Sequence, residues 1–395
     1  MMVDKNLHSK WILLLVSRPR LSPLQSKALR MALDNFEDWN TLLDLAQRKF
    51  ASSFLYHHIE NLSIDTVPPA VLDDLRRLDS QSKIVSMGTC HSLIDFHEKV
   101  IAPLGVPHCY FKGPVLAEVY YDEPSSRVCR DIDILVKPQD YSEVVISALK
   151  CGFGLGTTSG DVVDGNDGQT VEALLRFNSV VSLYSQNGAV IDLHRQIDYD
   201  LGVFATDFVL AQAKKVSFLG SRINVLCDEV LLCFLAYHGS RHVWSKMHWV
   251  YDFNAVLTPF EGDIDACRKC AKEIGVLNAL DNVLLFNQEM NCDVFNKGVS
   301  QFSFRVSQIL NDCFVSMDGD LEVELQMRRN FNFFQLPYSW LIDRKVWSRA
   351  FVRRVIVRLS PTFEQYQVLP LPRLLHWMYV PAKPLFAVLK RCRGK

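Results

Sequence analysis

The chain has 395 residues, 49% of them hydrophobic and 22% charged, with a formal net charge of −1. That make-up fits a globular protein of two or three domains with a large core, and it excludes disordered, collagen-like and strongly basic nucleic-acid-coating chains. No low-complexity tract or fixed-period repeat occurs, which excludes a solenoid. The eleven cysteines are scattered and odd in number. Their one CxxC, Cys267 and Cys270, lacks a second ligand pair and reads as two cysteines on one helix rather than a zinc site. Reduced thiols and a cytoplasmic location are the resulting expectation.

Taken in chain order, the run Trp11 to Val16 is too short for a secretory leader and lacks a small-residue cleavage site. Residues up to about 100 are predicted helical. Trp39, Leu42, Leu43, Leu45, Ala46 and Phe50 recur at helical spacing. A second helix is expected from Pro68-Pro69 to about Val100, with Val71, Leu75, Leu78, Ile84, Met87, Leu93 and Phe96 as its apolar stripe.

The pattern changes after residue 100. Val106 to Phe111 is strand-like and ends at Lys112-Gly113, and a helix is expected from Pro114 to Tyr121. Asp131 to Val136 alternates acid and aliphatic with the period of a strand. Tyr141 to Leu149 reads as helix, closed by Gly152, and Asp161 to Gly168 as a Gly/Asp/Asn-rich loop. Val180 to Gln186 and Ala189 to His194 form a hairpin through Asn187-Gly188, and a second hairpin is expected around Gly220-Ser221.

From Asp228, an expected N-cap, the chain reads as helical to its end. The fold class is α+β, with a mixed sheet core at 101–226 between helical regions at 1–100 and 227–395. No stretch carries the ~20 apolar residues of a membrane span; the closest, Val368 to Leu389, is interrupted by charges and prolines. From Asp343 to Lys395 the net charge is +10, against −11 for the rest. This basic end fits an anionic partner such as RNA, a sugar-phosphate or a membrane surface, or equally a solvated helix face balancing an acidic body.

The chemistry concentrates in Arg130-Asp131-Ile132-Asp133-Ile134-Leu135-Val136. Two aspartates at i and i+2 of a strand share one face while the aliphatics turn inward. Adjacent carboxylates repel and resist desolvation unless a cation sits between them, and hard oxygen ligands suit Mg²⁺ or Mn²⁺. Asp192, on the second strand of the Asn-Gly hairpin, can add a third acid, which makes metal-assisted phosphoryl transfer possible. Gly262-Asp263-Ile264-Asp265 repeats the acidic pair without a strand before it and reads as a helix start.

Gly113 ends a strand and opens a helix, a turn that can bring backbone N–H groups toward phosphates. Lys112, Arg127 and Arg130 add positive charge suited to a triphosphate. His194 shares the strand face of Asp192 and reads as an orienting or nucleotide-contacting group, or as a structural histidine. His238 and His242 lie at i, i+4 on one helix without a HExxH pattern, which favours packing or pocket lining over metal binding.

The stretch Tyr110-Phe111-Lys112-Gly113-Pro114-Val115-Leu116-Ala117, with Tyr120 and Arg127-x-x-Arg130-Asp131-Ile132-Asp133-Ile134-Leu135-Val136, resembles the bacterial uncharacterised nucleotidyltransferase family of the polymerase-β-like superfamily. Ile191-Asp192-Leu193-His194 looks like its later acid-Leu-His element. Leu235, His238, His242, Trp249 and Asp252 look like its His-rich helix pair, and Leu371-Pro372, Tyr379 and Pro384 like its C-terminal segment. The resemblance implies Mg²⁺-assisted transfer of a nucleoside monophosphate from an NTP such as ATP. Asp131 and Asp133 would bind the metals that bridge the triphosphate, and Asp192 would complete the second metal and help activate the acceptor hydroxyl. The acceptor stays open among RNA, protein, a small molecule and a glycan precursor. Pro114 departs from the Ser or Gly that the superfamily places after its turn glycine, removing one phosphate donor. That feeds an alternative, a non-catalytic nucleotide- or partner-binding protein of the same fold. Fold analogy and the basic end suggest another, a toxin-type enzyme acting on tRNA.

Overall fold

The computed structural model describes residues 6–34, 36–258, 263–319, 327 and 336–393, with side chains as far as Phe386. The chain forms two compact units, each drawn from three stretches: Met1–Cys90, Lys112–Arg130 and Leu226–Lys345 in the first, His91–Phe111, Asp131–Val225 and Val346–Lys395 in the second. Element types follow one another along the chain as helical, mixed and helical blocks, while the compact units interleave those blocks.

The first unit is built of helices. Its helix Leu7–Val16 is buried over nearly its whole surface, with Ile12, Leu13, Leu15 and Val16 fully inside. A helix enclosed all round needs no polar face, which accounts for the unbroken apolar run from Trp11. The long helix Pro69–Phe96 departs from its expected stripe. Val71, Leu75, Leu93 and Phe96 are buried, but Ile84 and Met87 are 70% and 69% exposed. Ser86 and Thr89 are buried there instead. Ser86 Oγ donates to the Arg127 carbonyl at 2.9 Å and accepts from Cys129 N at 3.1 Å. Thr89 Oγ1 donates to the Cys129 carbonyl at 2.8 Å. Buried backbone groups of the 127–129 segment need partners, and hydroxyls supply what a methyl group cannot.

Asp228 is not an N-cap: Cys227 occupies that position of the helix Asp228–Arg241, without a side-chain capping bond. Asp228 sits in the first turn, favourable for a carboxylate, and accepts from the Tyr120 hydroxyl. Asp263 caps the helix Ile264–Ile274 by accepting from Asp265 N at 2.9 Å, so the second acidic pair is a helix start. Gly262 lies outside the described residues. Cys267 and Cys270 both belong to that helix.

The second unit contains an eight-stranded mixed sheet. Its strands are β1 His108–Tyr110, β2 Asp131–Val136, β3 Gly154–Gly156, β4 Val162–Val163, β5 Val180–Tyr184, β6 Val190–His194, β7 Ala213–Phe218 and β8 Ser221–Leu226. Their order is β4-β3-β5-β6-β2-β1-β8-β7. β2 pairs parallel with β6 and β1 parallel with β8, while β5 pairs antiparallel with β6. The Asn187-Gly188 turn closes the β5–β6 hairpin with Gly188 at φ +83°, a conformation glycine adopts without strain. β4 lies inside the segment expected to be loop; two residues at a sheet edge leave no period to read. No helix among the described residues is long and apolar enough to cross a membrane.

Candidate metal centre

The parallel register of β2 and β6 sets Asp131 opposite Val190, Asp133 opposite Asp192 and Leu135 opposite His194. Residues paired in register share a face, and alternation along each strand does the rest. Asp131, Asp133, Asp192 and His194 therefore occupy one face. Ile132, Ile134, Ile191 and Leu193 turn to the other, where each is buried.

On that face Asp133, Asp192 and His194 each offer a ligand atom, and all of these atoms lie within 4.8 Å of one another. Asp133 is 4% exposed and its Oδ1 is 3.0 Å from His194 Nε2. Asp192 is half-buried and accepts from Ser182 Oγ on β5 at 2.6 Å. The Phe111 ring meets the His194 ring nearly edge-on at 5.1 Å. His194 Nδ1 is buried without a hydrogen-bond partner. Asp131 stands at the exposed start of β2, outside this group of three.

Two carboxylates this close repel each other, and burial of Asp133 sharpens the conflict. A divalent cation would relieve it, and a set of two carboxylates and an imidazole is compatible with one.

Lys112, Gly113, Arg127 and Arg130 belong to the first unit. Gly113 holds φ +62°, and the seven-residue helix Pro114–Tyr120 begins directly after it. Arg127 is buried and its guanidinium grips Asp252 with two bonds, Nε to Oδ1 at 2.8 Å and Nη2 to Oδ2 at 2.9 Å. Tyr121 donates its hydroxyl to the same carboxylate at 2.6 Å. Burial works against charge on Arg127, but Asp252 more than offsets it and holds the guanidinium protonated. The two other cations are more accessible. Lys112 Nζ sits 5.4 Å from the Phe234 ring centroid and the exposed Arg130 lies 5.0 Å from that of Phe50.

Those rings belong to an aromatic belt in the same unit. Phe234 neighbours His238 at 5.4 Å, His238 neighbours His242 at 4.5 Å and Trp249 at 5.1 Å, and Trp249 neighbours His248 at 5.5 Å. His248 meets Phe50 at 5.2 Å, and Lys246 reaches the same ring at 5.4 Å. Burial, then the charge of Lys112, holds His238 well below its ordinary pKa. Burial, then the charge of Arg127, pushes His248 down to about 3. Both rings are thus neutral at pH 7. Among the described residues no group of three metal-ligating side chains includes His238 or His242. The turn after them is strained: Val243 and Trp244 both have positive φ, +50° and +53°. Gly239 serves this turn, because a Cβ there would run into the Trp244 indole.

Ser182 is absent from the sequence reading, although a signal existed. Counting outward from Asn187-Gly188 pairs Tyr184 with Val190 and Ser182 with Asp192. The Arg127–Asp252 pairing carried no such signal, since 125 positions separate the partners. A cavity of about 760 Å³ in the second unit, lined in part by Ile146, Val171, Arg176, Arg195 and Arg373, contains none of the clustered residues.

Comparison with known proteins gives one family match: the model described as uncharacterised nucleotidyltransferase matches residues 35–291. None of the curated proteins compared with the chain matches it.

Proposed function

The chain belongs to the uncharacterised nucleotidyltransferase family, and on that premise we propose that it transfers a nucleoside monophosphate from an NTP to an acceptor hydroxyl. The observation that carries this reading is the in-register pairing of Asp133 with Asp192, beside His194. Asp133 and Asp192, with Asp131 at the exposed end of the same face, are the residues that would hold Mg²⁺ or Mn²⁺. When bound, the cation supplies charge neutralisation for the triphosphate and a lowered pKa for the acceptor hydroxyl.

The side chains of the chain supply orientation and proton transfer. His194 fixes the rotamer of Asp133, and Ser182 does the same for Asp192. Asp192, the more accessible of the paired acids, takes the hydroxyl proton as the acceptor oxygen attacks the α-phosphorus. The new P–O bond forms as the α–β P–O bond breaks, and pyrophosphate leaves with that electron pair. Lys112 and Arg130 are assigned to the triphosphate. Arg127 is assigned a positioning role, because its guanidinium is engaged by Asp252.

The test incubates the protein with each α-³²P-labelled NTP, Mg²⁺ or Mn²⁺, and cell lysate or total RNA. Label transfer that disappears in Asp133→Asn and Asp192→Asn supports the proposal and identifies the acceptor class. Nucleotide binding with no transfer to any acceptor would replace it with a binding function.

A further inference from the structure

About half of the exposed large hydrophobic side chains among the described residues lie between Trp347 and Leu385. They are densest around the 3₁₀ segment Arg373–Met378, where Leu374 is 88% and Trp377 66% exposed. Side chains three apart eclipse each other in a 3₁₀ helix, so Leu374 and Trp377 form one ridge and Leu375 and Met378 the next. Leu369 and Leu385, in the same stretch of sequence, are each at least half exposed.

The segment is held rather than loose. Tyr379 is fully buried; its hydroxyl accepts from Leu371 N at 2.9 Å and donates to the Leu369 carbonyl at 2.6 Å. His376 bonds the Leu371 carbonyl at 2.9 Å and packs 5.0 Å from the Phe177 ring. Arg373 reaches Glu172 at 3.3 Å. A fixed backbone thus presents leucine and tryptophan to solvent, an arrangement soluble surfaces avoid unless something covers it.

Charge identifies the cover. After Glu364 the sequence contains no acid and six Lys or Arg residues. Tryptophan and leucine in a stretch that carries Arg373 and Lys383 and no acid of its own, with Glu172 meeting Arg373 from outside it, match the interface of an anionic bilayer, where the rings enter the headgroup layer and the cations meet lipid phosphates. RNA or a sugar-phosphate would use the cations but leaves Leu374 without a partner. We propose that the segment Val368–Leu385 docks the protein on an anionic lipid surface, lying in the headgroup plane without crossing it. This inference is independent of the transfer reaction.

The experiment is sedimentation of the full chain with vesicles of phosphatidylglycerol and phosphatidylcholine in equal parts, and with phosphatidylcholine alone. The expected result is co-sedimentation with the mixed vesicles only, weakening as salt screens the attraction. Leu374→Ser with Trp377→Ser should lower partitioning by about tenfold or more, given the apolar area withdrawn from the interface. Leu374→Ser alone, at a site too exposed to disturb folding, should lower it in part, with the melting temperature unchanged. Three results each overturn the proposal: no co-sedimentation with anionic vesicles, equal co-sedimentation of the double variant, or a double variant that loses self-association in solution while vesicle binding stays as it was. Retention of tRNA together with no vesicle binding would overturn it in favour of a nucleic acid.

Discussion

The acidic face of β2 and β6 and the Lys112–Arg130 segment of the helical unit treat charge in opposite ways. On the sheet, like charges are held side by side by backbone pairing, with a histidine and a serine steering them. In the helical unit, Arg127 meets its opposite charge in a buried two-bond pair, while Lys112 and Arg130 lie against aromatic rings. Like charges set side by side leave a repulsion that a cation can relieve; a closed ion pair marks a brace.

The strongest way to break this contrast is to neutralise the repulsion. Asp133→Asn or Asp192→Asn should cut nucleotidyl transfer by about 10³-fold or more while leaving thermal stability equal or higher, since a like-charge conflict is removed. Single-turnover rates and melting curves read both effects, and a variant that keeps its activity removes the acids from the reaction.

Arg127→Met should do the reverse. Leaving Asp252 buried and unpaired should cost about 3–5 kcal/mol in denaturant unfolding. The pH dependence carries the sign. Burial alone pushes the Asp252 carboxyl up, but the charge and hydrogen bonds of Arg127 hold it below its ordinary value. A carboxyl depressed on folding contributes fully above its unfolded value, near ~3.9, and loses that contribution as pH falls through the folded value. In Arg127→Met the Tyr121 hydroxyl alone no longer offsets burial and the carboxyl rises, so the stability deficit should be largest at pH 7 and shrink toward pH 4. A deficit constant over that range would show that the pair is not its source.

Smaller effects sharpen the roles. Ser182→Ala should lower kcat by about 10-fold through a misdirected Asp192, with little change in KM for the NTP. Lys112→Met should raise the NTP KM by about 3–10-fold and spare kcat, as expected for a contact made equally before and during reaction. A Lys112→Met variant affecting kcat alone would place that lysine elsewhere in the cycle.

The two regions also differ in how far the sequence discloses them. The strand at Asp131, the Asn-Gly hairpin and the shared face of Asp133 and Asp192 all follow from period-two alternation and turn chemistry, which are local rules. Ser182 was within reach of the same rules by counting from the turn. The exposed Ile84 and Met87 were not, because the helix Pro69–Phe96 turns hydroxyls inward to serve the backbone of 127–129, a demand set by a distant stretch of chain. The Arg127–Asp252 bond and the neutral state of His248 are likewise products of packing between segments far apart in sequence. The interleaving of both units from separated stretches is the same effect on a larger scale.

The side-by-side placement of Asp133 and Asp192 depends on parity, not on distance along the chain. Residues may be added to or removed from the connections between β2 and β6 with the two acids still neighbours, provided the ladder re-forms in step. One residue inserted within β6 before Asp192 instead delivers Leu193 to the acidic face and sends the aspartate among the aliphatics. The centre is therefore indifferent to loop length and intolerant of a single-residue indel, so natural length variation should fall in the connections and stop at the strand.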